Sequence, residues 1–102
     1  MVHVIAVITA KPGMRDSILQ HARANLAAVR AEKGCIEYAT AVDADPALPM
    51  QTKYGADTFV FIEKWESMEA LKAHAAAAHM AAYAAKVKDM IAGRVIHILT
   101  PN

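Results

Sequence analysis

Cysteine is nearly missing from this sequence of 102 residues, in which Cys35 stands alone. One cysteine cannot form an intramolecular disulfide, so a reducing compartment is the default expectation. Residues 1–5 lack the basic start and the long apolar run of a secretory signal. The apolar runs elsewhere are far shorter than a membrane span requires. We therefore expect a soluble cytoplasmic protein that does not associate with a membrane.

The sequence also lacks a large excess of positive or of negative residues. Eleven lysines and arginines stand against ten aspartates and glutamates, which gives a formal net charge of +1. The cations are scattered, whereas a nucleic-acid-binding surface clusters them, so we expect no nucleic-acid partner. Hydrophobic residues make up 56% of the chain. This length and composition predict a single domain over residues 1–102 with one core.

Apolar periodicity predicts four strands and two helices. Alternating apolar residues predict strands over residues 2–10, 34–43, 58–65 and 94–100. Helical spacing predicts a first helix over residues 14–33, stopped by Gly34. Residues 68–92 are helical by composition, with Ser67 as the N-cap and Gly93 as the end. A break near Ala78-His79 is the alternative to one continuous helix, and residues 44–56 form a long loop.

The order β-α-β-β-α-β is typical of a ferredoxin-like α+β fold, with two helices on one face of an antiparallel sheet. Those helices can cover only one face, yet the predicted strands carry apolar residues on both. A large exposed apolar patch is rare on a monomer. We therefore expect a homodimer in which the two sheets pack face to face.

The stretch from Thr58 to Ser67 is the most informative part of the sequence. Phe59, Phe61, Glu63 and Trp65 alternate onto one face of the predicted strand. Glu63 therefore lies among aromatic residues on a dry face, where an unpaired carboxylate is costly. It is interpreted either as a hydrogen-bond acceptor that orients a substrate or, with a slight preference, as the structural partner of an interfacial lysine or arginine.

Several short motifs make the sequence resemble the antibiotic biosynthesis monooxygenase family of dimeric α+β barrels, most closely its small bacterial quinol monooxygenases. Each motif is weak alone, but together, in this order and at this spacing, they are specific for the family. They are Lys11-Pro12-Gly13, Glu32-Lys33-Gly34-Cys35-Ile36-Glu37-Tyr38, Phe61-Ile62-Glu63-Lys64-Trp65-Glu66-Ser67, Leu71-Lys72-Ala73-His74 and His79-Met80-Ala81-Ala82-Tyr83.

The resemblance implies that the protein oxygenates a quinol or a related polycyclic phenol with molecular oxygen, without flavin, haem or metal. It also implies a homodimer with one pocket per subunit, between the sheet and the helices. Haem-degrading members use an asparagine on the first strand, which this sequence lacks. An isomerase of a small phosphorylated metabolite is an alternative, although no phosphate-binding cluster stands out. A dimeric protein that binds an aromatic metabolite without turnover is another.

Cofactor-free oxygenation needs a base with a near-neutral pKa, apolar walls and a hydrogen bond that orients the substrate. His74 and His79 suit the role of base, and the sequence does not decide between them. Their spacing of five residues places them about 140° apart on a straight helix, which argues against a shared metal. The expected substrate-binding residues are Trp65, Tyr83, Tyr38, Phe61 and Glu63. Ordinary core packing is the alternative role for Trp65, and local packing or capping is the alternative for each histidine.

Overall fold

The computed structural model describes all 102 residues. The elements in chain order are β1 (Val2–Ala10), α1 (Arg15–Arg30), β2 (Cys35–Ala41), β3 (Thr58–Trp65), α2 (Met68–Ala75), α3 (Ala78–Val87), a 3-10 turn (Lys88–Met90) and β4 (Ile91–Leu99). The strands form one antiparallel sheet in the order β2-β3-β1-β4. The predicted ferredoxin-like α+β fold is therefore confirmed, with the second helical segment divided in two.

The core lies between one face of the sheet and the helices. On β1, Val2, Val4, Ala6 and Ile8 are buried, and the residues between them are only half-buried. On β3 the predicted alternation is confirmed, because Phe59, Phe61, Glu63 and Trp65 are all buried. Antiparallel pairing places Val4 beside Glu63 and Ile8 beside Phe59, so the buried residues of both strands share one face.

No helix covers the other face of the sheet, which we call the outer face. Its apolar residues on β1 and β3 are half-buried, and Val95 and Leu99 on β4 are 54% and 49% exposed. Strand register puts the apolar members of this face side by side in three adjacent strands. They are Ile5, Val7, Val60, Ile62, Val95 and Leu99.

Two predicted element boundaries are wrong, and one open alternative is decided. The first helix ends at Arg30 rather than at residue 33, and a turn carries the chain to Gly34, which has φ +86°. The helical segment predicted over 68–92 is not continuous; it follows the alternative of a break, which lies at Ala76 and Ala77, just before Ala78-His79. Gly93 does not end a helix; it lies inside β4, opposite Thr9, because the pairing with β1 continues as far as Ile91.

The break follows from packing, since alanine alone favours an unbroken helix. Ser67 caps α2 as predicted, accepting a hydrogen bond from the Ala70 N–H, and α2 then buries Leu71 and His74 against the sheet. Beyond the break, α3 packs against α1 and buries Val87. The two helices bury different faces against different partners, so the chain has to change direction between them.

Candidate active site

A cavity of about 720 Å³ lies between the covered face of the sheet and the helices α2 and α3. This volume is within the range of small-molecule sites, roughly 300–1,000 Å³. Its walls are mostly aliphatic and aromatic. The charged or basic side chains among the lining residues are Glu63, His74, Lys88 and Arg94. The apolar lining residues include Val4, Ala6, Ile8, Phe61, Leu71, Met80, Val87, Ile91, Ile96 and Ile98.

His74 lies against this cavity and is held by Glu32. Its Nδ1 is 2.7 Å from Glu32 Oε2, and the histidine is only 5% exposed. A carboxylate can only accept hydrogen bonds, so Nδ1 is assigned as the nitrogen that carries the hydrogen and donates it. The other ring nitrogen, Nε2, is then the basic one, and it has no hydrogen-bond partner within the chain.

Aromatic rings fix the orientation of the His74 imidazole. The Trp65 ring centroid lies 4.7 Å away and that of Tyr38 lies 5.4 Å away. These contacts and the hydrogen bond to Glu32 restrict the ring on three sides. Such restriction pre-orients a base, because little rotamer freedom is lost when a substrate arrives.

The turn after α1 places the Glu32 side chain against His74. Gly34 O accepts a hydrogen bond of 2.8 Å from the Glu66 N–H, at the junction of β3 and α2. A Cβ atom on Gly34 would lie 2.6 Å from Ala70 Cβ, so this turn sits directly against α2. Only glycine combines that approach with a positive φ at low cost.

His79 also lies near Glu32 but does not line the large cavity. Its Nε2 is 3.3 Å from Glu32 Oε2, and its Nδ1 is 3.2 Å from Asn25 Nδ2. The Asn25 amide also donates to Met80 Sδ, so Nδ1 of His79 is assigned as the acceptor and Nε2 as the protonated nitrogen. His79 opens instead into a smaller cleft of about 210 Å³ between α1 and α3, which Tyr83 also lines.

Trp65 is fully buried behind the cavity wall rather than in it. Its indole Nε1–H donates a 2.9 Å hydrogen bond to Glu63 Oε1, and its ring contacts His74. Trp65 therefore occupies the core position that was the alternative to a pocket wall, and from there it supports two cavity residues. No lysine or arginine of the chain forms an ion pair with Glu63.

Burial raises the pKa of Glu63, and the opposing effects of the Trp65 hydrogen bond and the nearby His74 are smaller. A carboxyl group with a raised pKa inside a cavity is a frequent mark of a functional site. One oxygen is occupied by Trp65, so the other oxygen is available to a ligand.

Two tyrosines, Tyr38 and Tyr83, are the remaining polar side chains that line the cavity. Burial raises the pKa of Tyr83 to about 12 and raises that of Tyr38 even further. Both phenols therefore stay protonated at neutral pH and act as hydrogen-bond donors. Neither hydroxyl has a hydrogen-bond partner within the chain, and Phe61 packs against both rings.

The cavity thus brings together five of the seven predicted site residues, namely His74, Tyr38, Phe61, Glu63 and Tyr83. Trp65 and His79 lie behind or beside it. Sequence reasoning missed Glu32 and Asn25, which contact the two histidines from α1 and the turn that follows it. Glu32 lies two residues before Gly34 in one of the family motifs. Its contact with His74 joins residues 42 positions apart, so the spacing of residues along the sequence did not indicate it.

No group of three or more histidine, cysteine, aspartate or glutamate side chains is arranged to hold a metal ion. None of the helices has both the length and the apolar character needed to cross a membrane.

Comparison with known proteins identifies the family. The family model described as antibiotic biosynthesis monooxygenase matches residues 1–86. The Escherichia coli K12 protein named "Probable quinol monooxygenase YgiN" is 37% identical over 104 aligned positions, covering 100% of this chain and 99% of that protein.

Solved structures agree with this match. The crystal structure of PA3566 from Pseudomonas aeruginosa superposes with a TM-score of 0.82 at 27% identity, covering 99% of this chain and 93% of that one. The structure of Rv0793 from Mycobacterium tuberculosis gives a TM-score of 0.81 at 26% identity, covering 99% and 94%. The chain therefore belongs to the antibiotic biosynthesis monooxygenase family and is a monooxygenase of that family.

Proposed function

We propose that this protein oxidises a quinol or a related polycyclic phenol with molecular oxygen, with no flavin, haem or metal, and that His74 is the base. The observation that carries the proposal is the ordered pair of Glu32 and His74 beside an apolar cavity. The name of the related protein YgiN, "Probable quinol monooxygenase", supports this substrate class.

The chemistry starts with proton transfer. Nε2 of His74 takes a phenolic proton, and the imidazolium that forms is stabilised by the Glu32 carboxylate on Nδ1. The apolar walls hydrate the resulting phenolate poorly, which favours electron transfer from it to oxygen. For a naphthohydroquinone, one oxygen atom then enters the ring and the other leaves as water, giving a hydroxynaphthoquinone. Oxidation of the hydroquinone ring to the quinone supplies the two electrons and two protons that reduce the second oxygen atom to water, so this reaction balances without a further reductant.

The remaining polar groups orient the substrate. The free oxygen of Glu63 accepts a hydrogen bond from a second substrate hydroxyl, and the tyrosine hydroxyls donate to oxygens that gain negative charge. Phe61 supplies an aromatic wall, with its ring centroid 5.4 Å from that of Tyr38.

The functional unit in this proposal is a homodimer. The outer face of the sheet carries six apolar side chains in adjacent strands and is covered by no helix. Monomeric proteins rarely expose a contiguous apolar face of this kind. A second copy packed on that face would bury it and would leave the cavity on the opposite side of the sheet.

Oxygen uptake by purified protein, treated with chelator and offered a panel of quinols, tests the function. We expect uptake with at least one polycyclic quinol and incorporation of one labelled oxygen atom into the product. A requirement for added flavin, haem or metal would contradict the proposal. So would hydrogen peroxide as the sole reduced oxygen product, because an oxidase rather than a monooxygenase would then be at work.

A further inference from the structure

The end of the cavity remote from His74 carries two cations that the proposed chemistry does not use. Lys88 lies in the 3-10 turn and Arg94 on β4, and both line the cavity at its exposed mouth. The ion pairs of the chain involve neither side chain. No ion pair within the chain therefore accounts for either cation.

Strand register sets the distance between the two ends. Glu63 pairs with Val4, and Arg94 pairs with Ile8 on the opposite side of β1. Four residues along β1 span about 13 Å, and two interstrand spacings add about 10 Å across the sheet, so the Cα atoms of Glu63 and Arg94 are about 16 Å apart. Arginine is long, and its head group can reach well into that interval.

From this arrangement we propose that the substrate is an amphipathic quinol, with its reacting ring beside His74 and a carboxylate-bearing side chain held at the mouth by Arg94 and Lys88. This inference rests on the proposed function, from which it takes the quinol ring. It adds a binding site for an anion at the mouth of the cavity. Burying a carboxylate fully would be costly, but at the mouth it stays partly hydrated while the ring enters the dry interior.

Arginine and lysine have different parts in this site. The guanidinium of Arg94 can hold a carboxylate through two parallel hydrogen bonds, which fixes its direction. Lys88 contributes a mobile point charge from the preceding turn. At the opposite end, beside Glu63 and His74, no lysine or arginine lines the cavity, so its cations favour one orientation of such a substrate over the reverse.

The probes for this inference are a naphthohydroquinone with a propionate side chain and its methyl ester, which differ in charge but little in shape. Oxygen uptake should show a KM about tenfold lower for the acid, the effect expected of a charge-assisted hydrogen bond at a partly exposed site. The preference should weaken as salt is added, because screening acts on the charged ligand.

Arg94→Gln should erase most of the preference for the acid over the ester, and the double variant Arg94→Gln with Lys88→Gln should erase the rest. Lys72→Gln is the matched control, since Lys72 is an exposed cation on α2 that lines neither cavity. A fold defect would raise both KM values and leave their ratio unchanged. A wild-type protein that does not discriminate, or an Arg94→Gln variant that keeps the preference, would overturn the inference.

Calorimetric binding of the two oxidised quinones separates this inference from the proposed function. If no quinol is oxidised but the acid quinone still binds about tenfold more tightly, and Arg94→Gln removes that difference, the anion-binding end stands and the proposed oxygenation fails. If no quinol is oxidised and neither quinone binds, both are wrong. If turnover occurs with equal affinity for acid and ester, only the anion-binding end is wrong.

Discussion

Glu32 Oε2 accepts a 2.7 Å hydrogen bond from His74 Nδ1, and the same oxygen lies 3.3 Å from His79 Nε2. One carboxylate thus meets two histidines that come from different helices. The break between α2 and α3 makes this possible, since on a straight helix the two rings would point about 140° apart. The two histidines are not equivalent, because only His74 also borders the large cavity.

Removing the carboxylate that orients His74 should impair turnover more than binding. In Glu32→Gln the side chain keeps its size but loses its charge, and the imidazolium formed during proton transfer loses its partner. We expect kcat to fall by about tenfold to a hundredfold, with KM changed less than threefold, as for a base held in the wrong orientation. Steady-state oxygen uptake measures both constants.

A parallel variant controls for that experiment. Glu66→Gln changes an exposed glutamate close to Gly34 and should leave kcat within a factor of about two, the small effect usual for a surface position. If Glu32→Gln behaves like this control, Glu32 does not position the base.

The buried carboxyl of Glu63 should make stability depend on pH in a definite direction. Its pKa is raised above the ordinary value of 4.5, so the folded state resists ionisation that the unfolded state accepts. The cost is absent well below pH 4.5, where both states are protonated; it grows as the pH rises from 4.5 towards the folded-state pKa and is constant above that pKa, where both states are ionised. Glu63→Gln keeps an oxygen for the Trp65 N–H and removes this cost.

Chemical denaturation of the wild type and Glu63→Gln at about pH 4 and about pH 8 tests that direction. The gain in the free energy of unfolding caused by the substitution should be larger at the higher pH. An equal gain at both pH values, or a larger gain at the lower one, would show that Glu63 ionises freely in the folded protein.

The homodimer can be tested at the centre of the outer face. Ile62→Glu places a charge between Ile5 and Ala39, where the second subunit is proposed to pack. We expect dissociation or unfolding, since an unpaired buried charge costs several kcal/mol, roughly 3–5. Light scattering measures the mass, and Ala28→Glu on the exposed side of α1 is the control. A wild type that is a folded monomer at micromolar concentration would contradict the proposal.

Alanine substitutions at Gly34 and Gly13 can separate the energetic cost of an unfavourable backbone conformation from that of a steric contact. Both have a positive φ, +86° and +78°, but only a Cβ on Gly34 would meet another atom, at 2.6 Å from Ala70 Cβ. Gly13→Ala should lower the free energy of unfolding by about 1–2 kcal/mol, the backbone cost alone. Gly34→Ala should cost roughly 1–3 kcal/mol more, because α2 has to shift. Equal losses in thermal unfolding would mean that the turn does not support α2.

Strand residues were predictable because period-two alternation depends on neighbouring residues alone. Phe59, Phe61, Glu63 and Trp65 were assigned to one face from spacing, and the structure places them there. A helix break near Ala78-His79 was only an alternative at the level of the sequence, because the break at Ala76-Ala77 results from the different packing partners of α2 and α3. The 3-10 turn and the start of β4 depend on pairing with β1, which again is a tertiary effect.

In the candidate site, too, some residues could be identified from the sequence, whereas their contacts depend on the tertiary structure. Residue type and the family resemblance suggested His74, Tyr38, Phe61, Glu63 and Tyr83, and all of these border the cavity. Neither could place Glu32 beside His74, because that contact depends on the turn at Gly34 docking against α2. Neither could separate the two histidines, since their surroundings are set by the helix break and by Asn25 on α1.

The rate of oxygen uptake with a polycyclic quinol, compared between His74→Ala and His79→Ala, tests the central claim most directly. Both proteins should keep the fold and the oligomeric state of the wild type. Loss of the base should lower kcat by roughly 10²–10⁴-fold in His74→Ala, and His79→Ala should lose less than about tenfold, because His79 acts only through Glu32. Near-normal turnover in His74→Ala, or a larger loss in His79→Ala than in His74→Ala, would contradict the assignment of His74 as the base.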